Sequence, residues 1–224
     1  MKKMNMLSLP LLLFSLTACA TNQLDNGGSS AEQLKYNKVE SLSKLRRFGR
    51  NTGFDILGEL GSSNSEISHP LEIGMKGNIT WGLSESSPGG RTAAVFNTDS
   101  VFLYSSVDDG QTYKKMVVDN KGTIDPRQYY DDYLNSISPR LFMVDYYKQT
   151  GLTKVKDLTY VGRDATEYAT ETISGGETVT ITTYIDKDLG IVLYFASMQN
   201  NVESWFKVTS FKTGDQVVPP TFEN

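Results

Sequence analysis

The spacing of apolar and polar positions changes along this chain, and each change marks an element. Behind Lys2 and Lys3, Leu7 to Leu16 is a short apolar run closed by Thr17, Ala18 and Cys19. Residues 20–30 are polar, rich in Gly and Ser, and without periodicity, as in a flexible tether. From Ala31 to Arg47 apolar positions recur mostly every third residue, at Leu34, Leu42 and Leu45 with Tyr36 and Val39 beside them, which predicts a short amphipathic helix. After Gly49 the period falls to two. Phe54/Ile56 and Ile79/Trp81/Leu83 alternate with polar or small residues, as half-buried strands do. Turn-forming punctuation then divides the region into strands Phe54–Leu60, Leu71–Leu83 (interruptible at Gly74–Gly77), Thr92–Asn97, Val101–Ser106 and Thr112–Val118.

A helical period returns at Asp125-Pro126, where aspartate suits an N-cap and proline the first helical position. Tyr129, Tyr133 and Ile137 lie four apart, with Tyr130 and Leu134 adjoining. Ser138-Pro139 can restart a second helix carrying Leu141, Val144 and Tyr147, ended by Gly151. Strands follow again: Thr166–Ile173, a Ser174-Gly175-Gly176 turn, Thr178–Ile185, a turn over Asp186–Gly190, Ile191–Met198 and Glu203–Phe211. Ile191–Met198 is apolar on both faces and so belongs in the middle of a sheet. Val217 to Phe222 is too rich in proline to continue a central strand. Two blocks of strands separated by a helical pair predict an α+β domain: a large, mostly antiparallel sheet with helices on one side.

The opening segment determines where such a domain would work. A basic start, a short apolar run and small residues form the three-part layout of a secretory signal. The run falls short of the about 20 residues that cross a bilayer, so removal is expected rather than retention. Leu16-Thr17-Ala18-Cys19 resembles the bacterial lipobox, which implies cleavage after Ala18 and a diacylglyceryl thioether on Cys19. The expected organisation is a signal peptide over 1–18, a lipidated tether over 19–30 and a single domain over 31–224. The tether would hold that domain roughly 20 Å from the bilayer. Cys19 is the only cysteine, so no disulfide supports the domain. Attachment to a bacterial membrane follows, and alanine rather than aspartate after the cysteine favours the outer membrane where the cell has one.

Composition narrows the chemistry. A net charge of −4, with no block of either sign, argues against a nucleic-acid partner. Lys44, Arg46, Arg47 and Arg50 cluster near the end of the first helix, where cations complement its dipole or could meet anionic headgroups. The lone histidine, His69, precedes Pro70 in what reads as a polar loop; a histidine pair or multi-histidine metal site is impossible. No serine sits in a nucleophile elbow. Ser106 to Tyr113 matches the Asp-box pattern Ser-x-Asp-x-Gly-x-Thr-aromatic, which in a single copy signifies a hairpin turn. Asp186-x-Asp188-x-Gly190 resembles the start of a calcium loop without the later ligands, so a solvated turn is the better reading. The acidic pairs Asp108/Asp109 and Asp131/Asp132 have no spacing that places them across a cleft. No enzymatic activity, cofactor or metal is expected. Twelve tyrosines, ten phenylalanines and two tryptophans are the remaining feature; they build a core or line an apolar cavity.

The order of elements resembles the lipoprotein-carrier superfamily of LolA, LolB and LppX-like proteins. The matching pieces are the lipobox, the early helix around Leu34–Leu45, the Lys76 to Trp81 strand, the Asn97 to Tyr104 hairpin, the central helices, and the Thr183-Tyr-Ile-Asp186 strand with Gly190 and Val208 to Gly214 after it. The resemblance implies a sheet curled into an incomplete barrel, its mouth closed by the central helices. It also implies binding or carriage of a lipid or acylated molecule. Alternate strand residues Ile79, Trp81, Phe102, Tyr104, Ile181, Phe195 and Phe206 would line the cavity, with the helices around Tyr129–Tyr147 as a lid. The other reading is a non-enzymatic interaction module, a sensor or assembly subunit with an envelope protein as partner.

Overall fold

The structure is a computed structural model, and it describes residues 32–83, 90–97, 100–108, 110–118, 126–137, 139–147 and 151–222. The leader, Cys19 and the tether lie outside the described residues, as do Asp109 and the Asp125 cap.

Helix α1 runs Lys38–Asn51, later than its periodicity alone suggests. Asn37 caps it, its side-chain oxygen accepting from the Glu40 amide at 3.2 Å. The preceding residues are extended instead: the Leu34 amide donates to the Leu152 carbonyl and the Lys154 amide to that of Glu32. Among the described residues eleven strands follow in two runs. The first holds β1 (Phe54–Ser62), β2 (His69–Lys76), β3 (Ile79–Leu83), β4 (Arg91–Phe96), β5 (Val101–Ser106) and β6 (Lys114–Val118). The second holds β7 (Thr153–Tyr160), β8 (Arg163–Ser174), β9 (Glu177–Asp186), β10 (Val192–Gln199) and β11 (Val202–Thr213). Between the runs lie α2 (Pro126–Ile137), a 3₁₀ turn at Pro139–Phe142 and the one-turn α3 (Val144–Tyr147). The second helix expected from Ser138-Pro139 is therefore broken into two short pieces.

All strands belong to one antiparallel sheet in the order β6-β5-β4-β3-β2-β1-β11-β10-β9-β8-β7. Each run is a meander, and pairing of β1 with β11 joins them. The sheet does not close: β6 and β7 are its two edges. This topology dictates the position of the helices. The chain leaves the sheet at one edge and re-enters at the other, so residues 126–147 belong to a crossing from edge to edge. An amphipathic crossing segment buries its apolar stripe on the sheet it passes.

His69 and Pro70 lie in β2, opposite Leu60 and Glu59, and not in a loop. Among the described residues β3 pairs with β2 only from Ile73 onward, so no described residue on that side needs an amide from Pro70. Two glycines allow close approach. A Cβ on Gly49 of α1 would lie 2.3 Å from Met75 Sδ, and one on Gly74 of β2 would lie 2.0 Å from the Trp81 ring.

Candidate functional site

The helix-covered face of the sheet is a continuous apolar surface. Ile56 of β1, Ile73 and Met75 of β2, Ala94 and Phe96 of β4, Val101 of β5, Ile181 and Ile185 of β9, Phe195 of β10 and Phe206 of β11 form one buried cluster. The helices contribute Leu42 and Leu45 from α1, Tyr130, Leu134 and Ile137 from α2, and Leu141, Phe142, Met143 and Val144 beyond it. Leu134, Leu141, Phe142 and Val144 are completely buried. Residues 134–137 and 141–144 thus plug the sheet: their side chains occupy the space between helices and strands.

Polar contacts fix the rim of this plug. Arg46 of α1 donates to Asp131 Oδ1 at 2.5 Å, and the Arg50 guanidinium lies 5.4 Å from the centre of the Tyr130 ring. Two of the four cations at the end of α1 are therefore engaged by α2. The Tyr130 ring packs 4.0 Å from Phe96, and Tyr133 Oη donates to Thr92 Oγ1 at 3.1 Å.

The seven side chains singled out as cavity lining do not share one space. Ile181, Phe195 and Phe206 lie on the helix-covered face, all nearly or wholly buried. Ile79, Trp81, Phe102 and Tyr104 lie on the opposite face, in a second cluster with Ala93, Val95, Tyr113, Val217 and Phe222. The registers give the reason. Thr80 pairs with Met75 and Gly82 with Ile73, so these two residues of β3 point to the helices and Ile79 and Trp81 point away. A Cβ at Gly82 would come 2.6 Å from the Glu72 carbonyl oxygen of β2, so the neighbouring strand excludes a side chain there, and Ile137 of α2 would lie in ordinary contact at 3.4 Å.

The back of β3–β5 is covered by the segment that follows β11. Phe222 stacks on Tyr104 at 4.0 Å and meets Tyr113 edge-on at 5.3 Å. Lys76 Nζ donates to the carbonyls of Gly214 and Val217 at 3.2 and 2.9 Å. Sequence reasoning excluded this segment from the strands and could not assign it a place. Over the other half of the back, Tyr184 and Tyr194 stack 4.7 Å apart, with Tyr160 5.4 Å from Tyr184. Burial, then the nearby Glu203 carboxylate, push the Tyr194 hydroxyl up to about 12.

A polar cleft of about 260 Å³ lies between residues 34–44 and the ends of β8 and β9, lined by Tyr36, Asn37, Lys44, Thr166 and Lys187 among others. Burial pushes the Tyr36 hydroxyl above its ordinary range. Glu40 pairs with Lys44 at 2.8 Å and Lys187 with Asp157 at 3.0 Å, so these charges neutralise one another.

The two turn motifs are structural. Asp108 Oδ1 accepts from the Thr112 amide at 2.9 Å and from Ser106 Oγ at 2.6 Å, and Ser106 Oγ accepts from the Gly110 amide at 2.9 Å. These bonds close the β5–β6 hairpin. The Ser106 and Thr112 hydroxyls lower the Asp108 carboxyl from its usual value to about 2. A carboxyl depressed on folding stabilises the hairpin above the unfolded value of about 3.9, and that contribution disappears as pH falls through the folded value. The Asp108 carboxyl carbon is accordingly expected to titrate near pH 2 by NMR; a midpoint near the ordinary value would mean the turn is open in solution. Asp186 is committed to Arg163 and to the amides of Asp188 and Leu189. Among the described residues no group of three or more His, Cys, Asp or Glu side chains could hold a metal ion. No described helix is long and apolar enough to cross a membrane.

No family model matches this chain, and no curated protein matches it. Among solved structures it is similar to the MucA/MucB complex of Pseudomonas aeruginosa, at 16% identity and a TM-score of 0.34, over 81% of this chain and 58% of that one. The chain therefore spans little more than half the length of that relative. It is also similar to a DUF1329 family protein from Desulfovibrio piger, at 7% identity and a TM-score of 0.30, over 84% of this chain and 95% of that one. A third likeness is a putative outer membrane lipoprotein-sorting protein domain from Vibrio parahaemolyticus, at 7% identity and a TM-score of 0.23, over 81% and 95% of the two chains.

Proposed function

We propose that this chain is a non-enzymatic lipoprotein of the bacterial envelope, anchored through Cys19, that binds an acylated ligand on the apolar face of its sheet by exchanging it for the helical plug. The observation that carries this reading is the open sheet. Its continuous apolar face is closed by residues 126–147 and α1 rather than by further strands. Displacing the plug uncovers a trough containing Ile73, Ile181, Phe195 and Phe206.

Magnitudes restrict the ligand. The plug withdraws six buried apolar side chains, Leu134, Ile137, Leu141, Phe142, Met143 and Val144. At roughly 1.5–3 kcal/mol each their removal costs about 9–18 kcal/mol. One acyl chain of about 16 carbons recovers roughly 12 kcal/mol at ~0.8 kcal/mol per CH₂. A single chain ranges from a gain of about 3 to a loss of about 6 kcal/mol, whereas two chains, at roughly 24 kcal/mol, clear the cost across its whole range. The reading therefore specifies diacylated molecules, a phospholipid or another lipoprotein, over free fatty acids.

Native mass spectrometry of the chain from Ala31 onward, purified without detergent, tests this. Added diacyl phospholipid is expected to appear as a bound mass that Phe195→Asp abolishes, with no stable adduct from palmitate. Trp81→Asp, on the other face, should leave uptake unchanged. A clean apo mass with phospholipid present would favour the second reading, a protein-binding envelope module. The filled interior and the partly exposed Tyr160, Tyr184 and Tyr194 group support that alternative.

A further inference from the structure

The back of β3–β5 has the chemistry of a peptide groove, and it is occupied by a segment with the chemistry of a ligand. Trp81 and Ala93 form the floor, with Ile79, Val95, Phe102, Tyr104 and Tyr113 around them. Trp81 lies low because Gly74 beneath it has no side chain. Across this surface runs Val217-Val-Pro-Pro-Thr-Phe222. Its attachment differs from that of a strand. Among the described residues no backbone hydrogen bond joins 218–222 to the sheet. It is held at its root by Lys76 and by burial of Val217, and at its far end by the Phe222 ring between Tyr104 and Tyr113. Val218 is 78% exposed. Two end anchors with prolines between them are the features by which extended, proline-containing peptides dock on aromatic surfaces, the prolines having already limited the chain entropy to be lost.

We infer that this groove is a docking site for an extended segment of a partner protein, of the form two prolines followed within two residues by an aromatic, and that residues 217–222 occupy it in cis until such a segment displaces them. This groove lies on the face of the sheet opposite to the proposed acyl-ligand trough and is independent of it. The cis segment competes as a tethered ligand, at an effective concentration on the order of millimolar for a short linker. The 3₁₀ turn Gly214–Gln216 is that linker. A partner segment is thereby excluded unless it offers more than the cis one or the cis anchors loosen.

The test uses the full chain and a fluorescein-labelled peptide, GDQVVPPTF, read by anisotropy. Wild type is expected to bind it weakly. Phe222→Ala, which empties the aromatic slot, and Val217→Ala, which weakens the buried root of the cis segment while leaving the groove intact, should each bind it at least tenfold more tightly. A peptide with alanine in place of its phenylalanine should not bind. Circular dichroism and the emission of buried Trp81 verify that each variant is folded. Equal affinity of wild type and both variants would overturn the proposal, since the groove would not be what the peptide contacts. So would absence of binding in both folded variants. If instead sedimentation shows wild type forming dimers that the peptide dissociates, the occupant is the segment of a second copy, and the partner-protein inference fails.

Discussion

Asp186→Ala is expected to lower the folding free energy by about 3–5 kcal/mol, the cost of leaving one member of a buried ion pair alone. The Asp186 side chain is fully buried, and its carboxylate accepts four hydrogen bonds: two from Arg163 at 2.7 and 3.2 Å, and two from the Asp188 and Leu189 amides at 2.9 and 2.8 Å. Removal leaves the guanidinium with only its longer, exposed contact to Asp188 at 3.4 Å, beside the Phe48 and Phe211 rings 5.7 and 5.1 Å away, and leaves two turn amides without their acceptor. A guanidinium stays protonated at any pH the fold survives, so the cation cannot relieve the loss by deprotonating. Against a typical total of about 5–15 kcal/mol the effect is large. Asp186→Asn keeps an acceptor for the amides and should cost less. Urea unfolding measures both, and the Ala/Arg163→Met double variant should be less destabilised than the two single losses added together. An Ala variant within 1 kcal/mol of wild type, on the scale of an exposed pair, would refute the assignment.

The same residue shows what the sequence could disclose. The pattern Asp186-x-Asp188-x-Gly190 marks a turn, and a turn it is, but Arg163 is 23 positions earlier and only the β8–β9 ladder brings it near. Strands with clean alternation and glycine-rich turns were legible in place: Val101–Ser106 has the expected bounds, and the Gly175-Gly176 hairpin turns where its two positive φ angles require. Strand β7 was missed. A register shift between Lys154 and Lys156 puts Val155 out of phase with Leu158 and Tyr160, and charges fill the remaining positions. Sheet facing was the larger gap. Alternation tells which residues of one strand share a face, yet nothing local tells which face meets the helices. Size misled on β3: Trp81 looked like the inward residue, whereas the register with β2 puts Thr80 and Gly82 inward, and the Glu72 carbonyl leaves no space for a side chain at Gly82. The crossing of residues 126–147 from one sheet edge to the other depends on β1 pairing with β11, a contact between opposite ends of the domain.

That crossing supplies the second large effect, and it has two signs. Phe142 is fully buried in the plug, and Phe142→Ala is expected to destabilise the free protein by ~3–5 kcal/mol through lost burial and the cavity left behind. In the exchange reading the same side chain competes with the ligand. A weaker plug costs less to displace, so the variant should take up diacyl phospholipid more tightly, by up to the factor its stability loss represents, about tenfold for each 1.4 kcal/mol. Phe54→Ala is the control. Phe54 is equally buried, but on β1 beneath α1, where it should cost similar stability without touching the competition. Thermal melts with and without vesicles separate the two quantities: both variants should melt lower alone, and only Phe142→Ala should recover stability disproportionately when lipid is added. If the two recover alike, the helices are a permanent layer of the core, and the apolar face of this sheet serves stability rather than binding.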